Sequence, residues 1–232
     1  MPSLQQRSYT KELLDADNIP FEAIKQNMQE LNTINSLLGG HKITVAGLKQ
    51  IIGNKNKITV CELGCGGGDN LYALQKYCTS KKIEVHFTGI DIKSSCLTFA
   101  SEKYPQLSAD WMCTDYKLAT FKEPPHVIFS SLFCHHFHEK DLAEMMVWMK
   151  QNSQLGYFIN DLHRHPVAYY FIKIATTLFS SSYLVKNDAP LSVQRGFLKK
   201  EWLAILNAAH INNFKILWKW AFRHLIIVKH GG

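Results

Sequence analysis

The chain has 232 residues, of which 46% are hydrophobic, so it is not an intrinsically disordered protein and has enough residues for one large α/β domain. Its net charge of +7 comes from 26 basic and 19 acidic residues spread along the chain, without the basic run typical of a nucleic-acid partner. The most apolar segment, residues 168–179, is interrupted by Lys173 and is too short to cross a bilayer.

The cysteines and the first residues bear on the compartment. The six cysteines include no C-x-x-C pair, and the polar first residues lack the pattern of a signal peptide. Free thiols are typical of a reducing environment, so we expect a cytoplasmic protein.

Residues 1–56 are predicted to form a helical arm that belongs to the same domain as residues 57–232. Apolar residues recur at helical spacing from Phe21 to Leu38, and Gly39 and Gly40 end that helix. A second helix is expected at about 44–52.

Strand and helix patterns then alternate, which predicts a parallel sheet with helices on both faces. The strands are expected at 57–63, 85–92, 111–114, 127–132 and 156–160, and the helices at about 70–79, 94–104, 139–152 and 199–210.

Two features depart from this alternation. Residues 214–221 and 224–229 are strand patterns joined by a two-residue connection, which permits only an antiparallel hairpin. Residues 163–198 are much longer than a usual loop and follow a strand's carboxyl end, where ligands bind, so we interpret them as a substrate lid. A pair of core helices without a ligand role is the alternative.

Residues 58–68 place a glycine-rich turn between the first strand and a helix. Such a turn cradles a nucleotide-like ligand, because glycines let the backbone turn sharply and leave room for the ligand. A dinucleotide fingerprint would need a glycine at Asp69, where an acid would repel a pyrophosphate. Glu62 at the strand end can accept hydrogen bonds from a ligand, and Asp91 at the end of the second strand can accept both hydroxyls of a ribose.

The spacing E-x-G-x-G-x-G, from Glu62 to Gly68, resembles motif I of the class I S-adenosylmethionine-dependent methyltransferases. The resemblance implies a Rossmann-like α/β fold with a seven-stranded, mostly parallel sheet and a C-terminal antiparallel hairpin. It also implies S-adenosyl-L-methionine as the cofactor, whose sulfonium cation tolerates nearby acids. The cofactor residues that it implies are Glu62, Gly64, Cys65, Gly66, Gly68, Asp91, Ile92, Asp115, Tyr116 and Ser131.

Three histidines, at 135, 136 and 138, follow the fourth strand. Their H-H-x-H spacing matches no usual zinc pattern and methyl transfer needs no metal, so no metal is expected. A His-His pair at this place resembles small-molecule methyltransferases of the ubiquinone-biosynthesis type, which implies His136 as a base or substrate contact.

Asp161, His163 and Arg164 follow the fifth strand and are expected to face the crevice. A phenol has a pKa near 10, so its methylation at neutral pH needs a base or a stabilised phenolate. His163 is a candidate base, Arg164 a charge clamp, and Asp161 a residue that orients the histidine.

The chain as a whole resembles methyltransferases encoded beside bacterial type III polyketide synthases, through segments 12–15, 37–41, 160–166 and 187–195. The function expected is O-methylation of a small aromatic or polyketide-derived hydroxyl. C-methylation of a quinone precursor and a non-catalytic cofactor-binding protein are the alternatives. No nucleic-acid partner is expected, and a homodimer is left open.

Overall fold

The computed structural model describes residues 4–16 and 18–231, and within them seven strands form one sheet. The strands are β1 (Lys57–Leu63), β2 (Glu84–Asp91), β3 (Ala109–Cys113), β4 (Val127–Ser131), β5 (Gly156–Leu162), β6 (Phe214–Lys219) and β7 (Arg223–Lys229). Their order is β3-β2-β1-β4-β5-β7-β6. β1 to β5 are parallel, while β7 is antiparallel to both β5 and β6. The predicted fold class and the terminal hairpin are therefore confirmed.

The helices cover both faces of this sheet. They are α1 (Phe21–Leu37), α2 (Gly40–Ile52), α3 (Asp69–Ser80), α4 (Ser94–Lys103), α5 (Glu139–Asn152), α6 (Pro166–Phe179), α7 (Tyr183–Arg195) and α8 (Lys199–Ala208). Successive strand residues point to opposite faces. Val60 packs with apolar residues of α2 and α3, whereas Cys61 packs with those of α5 and α8. The two cores hold the strand ends in place around the site.

Several boundaries differ from the prediction, most of them by one or two residues, and two of the differences have a clear cause in the backbone. α2 begins at Gly40, before the expected Thr44, because Gly39 adopts a left-handed conformation (φ +75°) that reverses the chain at once. The hairpin connection has three residues, 220–222, since Lys219 pairs directly with Arg223. Ala221 and Phe222 both adopt positive φ there, at 60° and 54°.

Helices α6 and α7 occupy the segment predicted as a lid. They pack together through Ala168, Tyr169, Ile172 and Val193. None of the helices in the described part of the chain is long and apolar enough to span a membrane.

Candidate active site

The carboxyl ends of β1, β2, β4 and β5 open onto a cavity of about 510 Å³. This position and this size are typical of a small-molecule site in a doubly wound sheet. The predicted cofactor residues that line the cavity are Gly64, Cys65, Gly66, Asp91, Ile92 and Ser131.

The glycine turn after β1 has the conformation that the sequence predicts. Gly64 adopts φ +66°, and a Cβ at this position would collide with the ring of Phe133. A Cβ on Gly66 would meet only the Met28 sulfur, at 3.5 Å, so this glycine leaves the cavity open. The turn is anchored because the backbone N–H groups of Gly64 and Cys65 both donate to the carbonyl oxygen of Ile90.

Asp91 ties this turn to the end of β2. Its Oδ2 accepts a hydrogen bond from the Gly66 N–H at 2.9 Å, and its Oδ1 accepts one from the Lys93 N–H at 2.9 Å. Burial raises the pKa of Asp91, while these two bonds oppose the rise. Each carboxylate oxygen keeps a second lone pair, so the ribose role stays a prediction that the geometry allows.

Glu62 lies fully buried beneath the turn, outside the cavity lining. Its Oε1 accepts a hydrogen bond from Asn70 Nδ2 at 3.0 Å, whereas its Oε2 has no partner among the described residues. Burial, followed by repulsion from Asp69, raises the pKa of Glu62 well above its usual range. This unpartnered acceptor lies at the place where the sequence predicts contact with the cofactor.

Gly68, Asp115 and Tyr116 also lie outside the cavity lining, and their cofactor roles stay predictions. Gly68 precedes α3 with φ +72°. The Asp115 carboxylate accepts a hydrogen bond from the Lys117 N–H. The Tyr116 ring packs edge-on against Trp148, beside a shallow depression of about 840 Å³ between α5 and α8.

His135 is a buried cation. Its Nδ1 donates to Asp161 Oδ1 at 2.8 Å, its backbone N–H donates to Asp161 Oδ2, and its Nε2 lies 3.5 Å from Glu12 Oε1. Burial alone would lower the pKa of His135, but Asp161 and Glu12 outweigh it and raise the pKa to about 9. His135 is therefore protonated at neutral pH and is not a base there.

His136 lines the cavity beside this pair, with its side chain 24% exposed. Its Nδ1 lies 3.3 Å from Asp15 Oδ1, and its Nε2 lies 3.7 Å from Glu12 Oε2. Burial would raise the pKa of Asp15, but His136 lowers it strongly. Two carboxylates therefore hold the imidazole that the sequence proposed as a base.

Glu12, His135 and His136 place donor atoms within 4.8 Å of one another, a spacing that could hold a metal ion. A protonated His135 has no lone pair on Nε2, and we therefore describe the group as a cluster of ion pairs. The expectation of no metal stays a prediction.

The segment 4–16 completes the site, a contribution that the sequence patterns did not reveal. Arg7 donates to the carbonyl oxygens of Arg195, His135 and Phe137. Arg195 likewise donates to the carbonyl oxygen of His135, at 3.1 Å. These bonds fasten the segment that carries Glu12 and Asp15 over the end of β4.

The expectation that His163 and Arg164 face the crevice is wrong, because neither lines the cavity. His163 lies beside Trp218, whose Nε1 donates to its Nδ1 at 3.3 Å. Arg164 is buried and donates to Glu201 and to the carbonyl oxygens of Leu4 and Gly196, so it anchors the chain instead of a substrate. Asp161 orients a histidine as predicted, but that histidine is His135 and not His163.

A second group of polar residues also lines the cavity and includes Asn35, Asp69 and Arg223. Asp69 Oδ2 lies 2.6 Å from His41 Nε2 and accepts a hydrogen bond from Asn35 Nδ2. Asn35 Oδ1 accepts a hydrogen bond from Arg223 Nη2 at 2.8 Å. Burial lowers the pKa of Arg223 to about 10, so the guanidinium stays charged at neutral pH.

S-adenosylmethionine fits this cavity on two grounds. The glycine turn provides an open backbone cradle, and four carboxylates, those of Glu12, Asp15, Asp69 and Asp91, line the walls. A cationic ligand without phosphate suits such walls, whereas a dinucleotide would be repelled. Gly64, Gly66, Asp91 and Ser131 are the lining residues that would hold the cofactor.

Comparison with known proteins agrees with this geometry. Residues 60–152 match the family described as a methyltransferase domain. No curated protein matches the chain in sequence.

Solved structures share the fold at low identity. The plantazolicin methyltransferase BpumL, in complex with S-adenosylhomocysteine, is 13% identical, with a TM-score of 0.66 over 91% of this chain and 95% of its own. Human N-acetylserotonin methyltransferase, in complex with S-adenosylmethionine, is 18% identical, with a TM-score of 0.60 over 92% of this chain and 57% of its own.

An O-methyltransferase family 2 protein from Planctomyces limnophilus, in complex with apigenin, is 16% identical, with a TM-score of 0.63 over 92% of this chain and 63% of its own. Three observations agree: the matched domain, the strand order with its terminal hairpin, and the cavity at the glycine turn. Residues 60–152 form a methyltransferase domain, and the chain has the class I methyltransferase fold, which it shares with structures solved in complex with S-adenosylmethionine or S-adenosylhomocysteine.

Proposed function

We propose that this methyltransferase acts on the hydroxyl group of a small aromatic or polyketide-derived acceptor and forms an O-methyl product. The observation that carries the proposal is His136, held between Glu12 and Asp15 on the wall of the cavity. The resemblance to enzymes encoded beside type III polyketide synthases supports the same class of acceptor.

When bound, S-adenosylmethionine supplies a methyl group already activated by the positive sulfonium. The residues of the chain must then take the proton of the acceptor, because a phenol has a pKa near 10. Asp15 holds Nδ1 of His136 at 3.3 Å and orients the ring, so that Nε2, 3.7 Å from Glu12 Oε2, is the nitrogen that takes the proton of the acceptor hydroxyl. Glu12 and Asp15 also stabilise the imidazolium that forms, as the acid of a catalytic triad does.

The lid supplies the apolar wall that a flat acceptor needs. Val167, Ala168, Phe171 and Ile172 of α6 line the cavity, and Val193 lines it from α7. Apolar walls with a few polar groups are typical of sites that bind aromatic ligands. The similar protein from Planctomyces limnophilus is in complex with apigenin, a polyphenol, which supports an acceptor of this kind.

A product analysis tests the proposal. The protein is incubated with S-adenosylmethionine and separate phenols, alkylresorcinols and quinols, and the products are analysed by mass spectrometry and NMR. A new methyl signal on oxygen is expected. A methyl group on a ring carbon would contradict O-methylation and favour a quinone-type acceptor, and no methylated product from any class would refute the acceptor range.

The variant His136→Gln tests the base. We expect its kcat to fall by about 10²- to 10⁴-fold, because general base catalysis is lost, with little change in the Kd of S-adenosylhomocysteine. His138→Gln is the matched control, since His138 is exposed and outside the cavity lining. Equal kcat values for the two variants would show that His136 is not the base.

A further inference from the structure

Arg223 is a buried cation that has no counter-ion among the described residues. It begins β7, opposite Leu162 at the end of β5, and is 2% exposed. Its Nη2 donates to the amide oxygen of Asn35, while Nε and Nη1 have no hydrogen-bond partner within the described chain. One of the five N–H groups of the guanidinium is therefore used, and four are free.

The two carboxylates that attract Arg223 are each already paired with a histidine. Asp69 and Asp161 act on Arg223 only through longer-range attraction. Asp69 is paired with His41 at 2.6 Å, and Asp161 is paired with His135 at 2.8 Å. A buried charge that lacks a partner is strongly unfavourable, so the fold keeps this arginine at a cost that packing does not explain.

Arg223 forms part of the cavity wall. It lines the cavity together with Asn35, Leu162 and Val167. A Cβ on Gly40 would lie 3.1 Å from Nη1 and 2.7 Å from Asn35 Oδ1, so the glycine makes room for the guanidinium. The unpartnered Nε and Nη1 lie buried just behind the cavity wall to which Arg223 contributes.

We propose that Arg223 anchors a carboxylate-binding subsite in this cavity. The inference rests on the methyltransferase function, which provides two sources of the carboxylate: the methionine part of the cofactor or an acid group on the acceptor. A planar guanidinium binds a carboxylate through two parallel hydrogen bonds. A carboxylate suits the site better than a phosphate, because the four carboxylates on the walls repel a dianion more strongly than a monoanion.

The variant Arg223→Met tests the subsite through binding. Methionine has a similar length and no charge, so without ligand the variant is expected to melt at the wild-type temperature or above. Calorimetry then compares S-adenosylhomocysteine with 5′-methylthioadenosine, which lacks the amino acid part. If the cofactor supplies the carboxylate, the Kd of S-adenosylhomocysteine rises at least tenfold in the variant and that of 5′-methylthioadenosine does not change.

A second arm tests the acceptor as the source. The Kd values of 4-hydroxybenzoate and phenol are measured with both proteins in the presence of 5′-methylthioadenosine. If the acceptor supplies the carboxylate, only the affinity for hydroxybenzoate falls tenfold in the variant. Unchanged affinities for both carboxylate ligands, when the wild-type protein binds S-adenosylhomocysteine, would overturn the subsite. Failure of the cofactor assignment is distinct, because wild-type protein would then not bind S-adenosylhomocysteine at all.

Two further variants control for the loss of charge and for a failure of Arg223→Met to fold. Lys215→Met, at an exposed position of β6, removes the same charge from the same sheet and is expected to leave all four affinities unchanged. If Arg223→Met does not fold, Arg223→Lys keeps the charge without the planar fork. A threefold or larger loss confined to the carboxylate ligands supports the subsite, and wild-type affinities for these ligands refute it.

Discussion

Replacing Asp161 by Asn removes the negative charge from the most buried ion pair of the site. Asp161 is fully buried, and it accepts two hydrogen bonds from His135, one from Nδ1 at 2.8 Å and one from the backbone N–H at 3.2 Å. Asparagine keeps one oxygen acceptor but leaves the buried imidazolium with Glu12 alone, 3.5 Å away. Breaking a buried pair costs about 3–5 kcal/mol, and we expect the lower end, about 3 kcal/mol, because one acceptor remains.

The pH dependence gives this prediction its distinctive sign. The pKa of His135 is about 9 in the folded protein, and that of an unfolded histidine is about 6.5. Protonation therefore stabilises the fold fully below about pH 6.5, and this stability is lost as the pH rises toward 9. In Asp161→Asn the pKa of His135 falls, so the loss of stability between pH 6.5 and 9 is expected to become smaller.

Urea denaturation at pH 6.0, 7.5 and 9.0 measures the loss of stability and its pH dependence. In a separate thermal scan at pH 6.0, the melting temperature is expected to fall by about 6–12 °C. Asp110→Asn is the matched control, because Asp110 pairs with His86 at 2.9 Å on the surface, where such pairs contribute about 0–1 kcal/mol. A loss below 1 kcal/mol in Asp161→Asn, or a pH profile parallel to that of the wild type, would refute the buried ion pair.

Three further substitutions test the glycine turn, the second strand and the hairpin. Gly64→Ala should destabilise the fold by about 2–4 kcal/mol in denaturation, because its Cβ collides with Phe133 at a positive φ. Gly39→Ala, with positive φ but no neighbour within 4 Å, should lose only about 1 kcal/mol, and equal losses would contradict the collision. Asp91→Ala should raise the Kd of S-adenosylhomocysteine in calorimetry at least tenfold, since charged hydrogen bonds contribute about 1.5–3 kcal/mol, and an unchanged Kd would exclude the ribose role. Ala221→Gly should raise the free energy of unfolding by up to about 1 kcal/mol, and with it the urea midpoint, because glycine accepts φ 60° without strain. A lower midpoint would argue against strain in the hairpin.

The sequence predicted the fold, the glycine turn and the place of the cavity, because these depend on local patterns. The alternation of strands and helices, the glycine turn and Asp91 at the end of β2 each follow from short segments read in order. The hairpin boundary was less accurate, since the pairing of Lys219 with Arg223 depends on register and not on composition.

The contacts around His136 could not be predicted in the same way, because they join residues that lie far apart in the chain. Glu12 and His136 are 124 positions apart, yet their side chains lie 3.7 Å from each other. The density of polar residues after β5 indicated that Asp161 orients a histidine, but that histidine is His135 and not His163. The prediction that Arg164 faces the crevice failed because a polar residue at a strand's carboxyl end can also point inward and bind backbone carbonyl oxygens, as Arg164 does.

The fastening of residues 4–16 has a consequence for how the enzyme matures during its synthesis. Arg7 bonds to the backbone at residue 195, and Leu4 is bonded by Arg164, which is itself paired with Glu201. A nascent chain that has emerged only as far as β5 has the partners of Arg7 at residues 135–139 but lacks the groups at residues 195 and 201. The complete set of bonds that holds Glu12 and Asp15 beside His136 therefore forms only when the chain extends to residue 201.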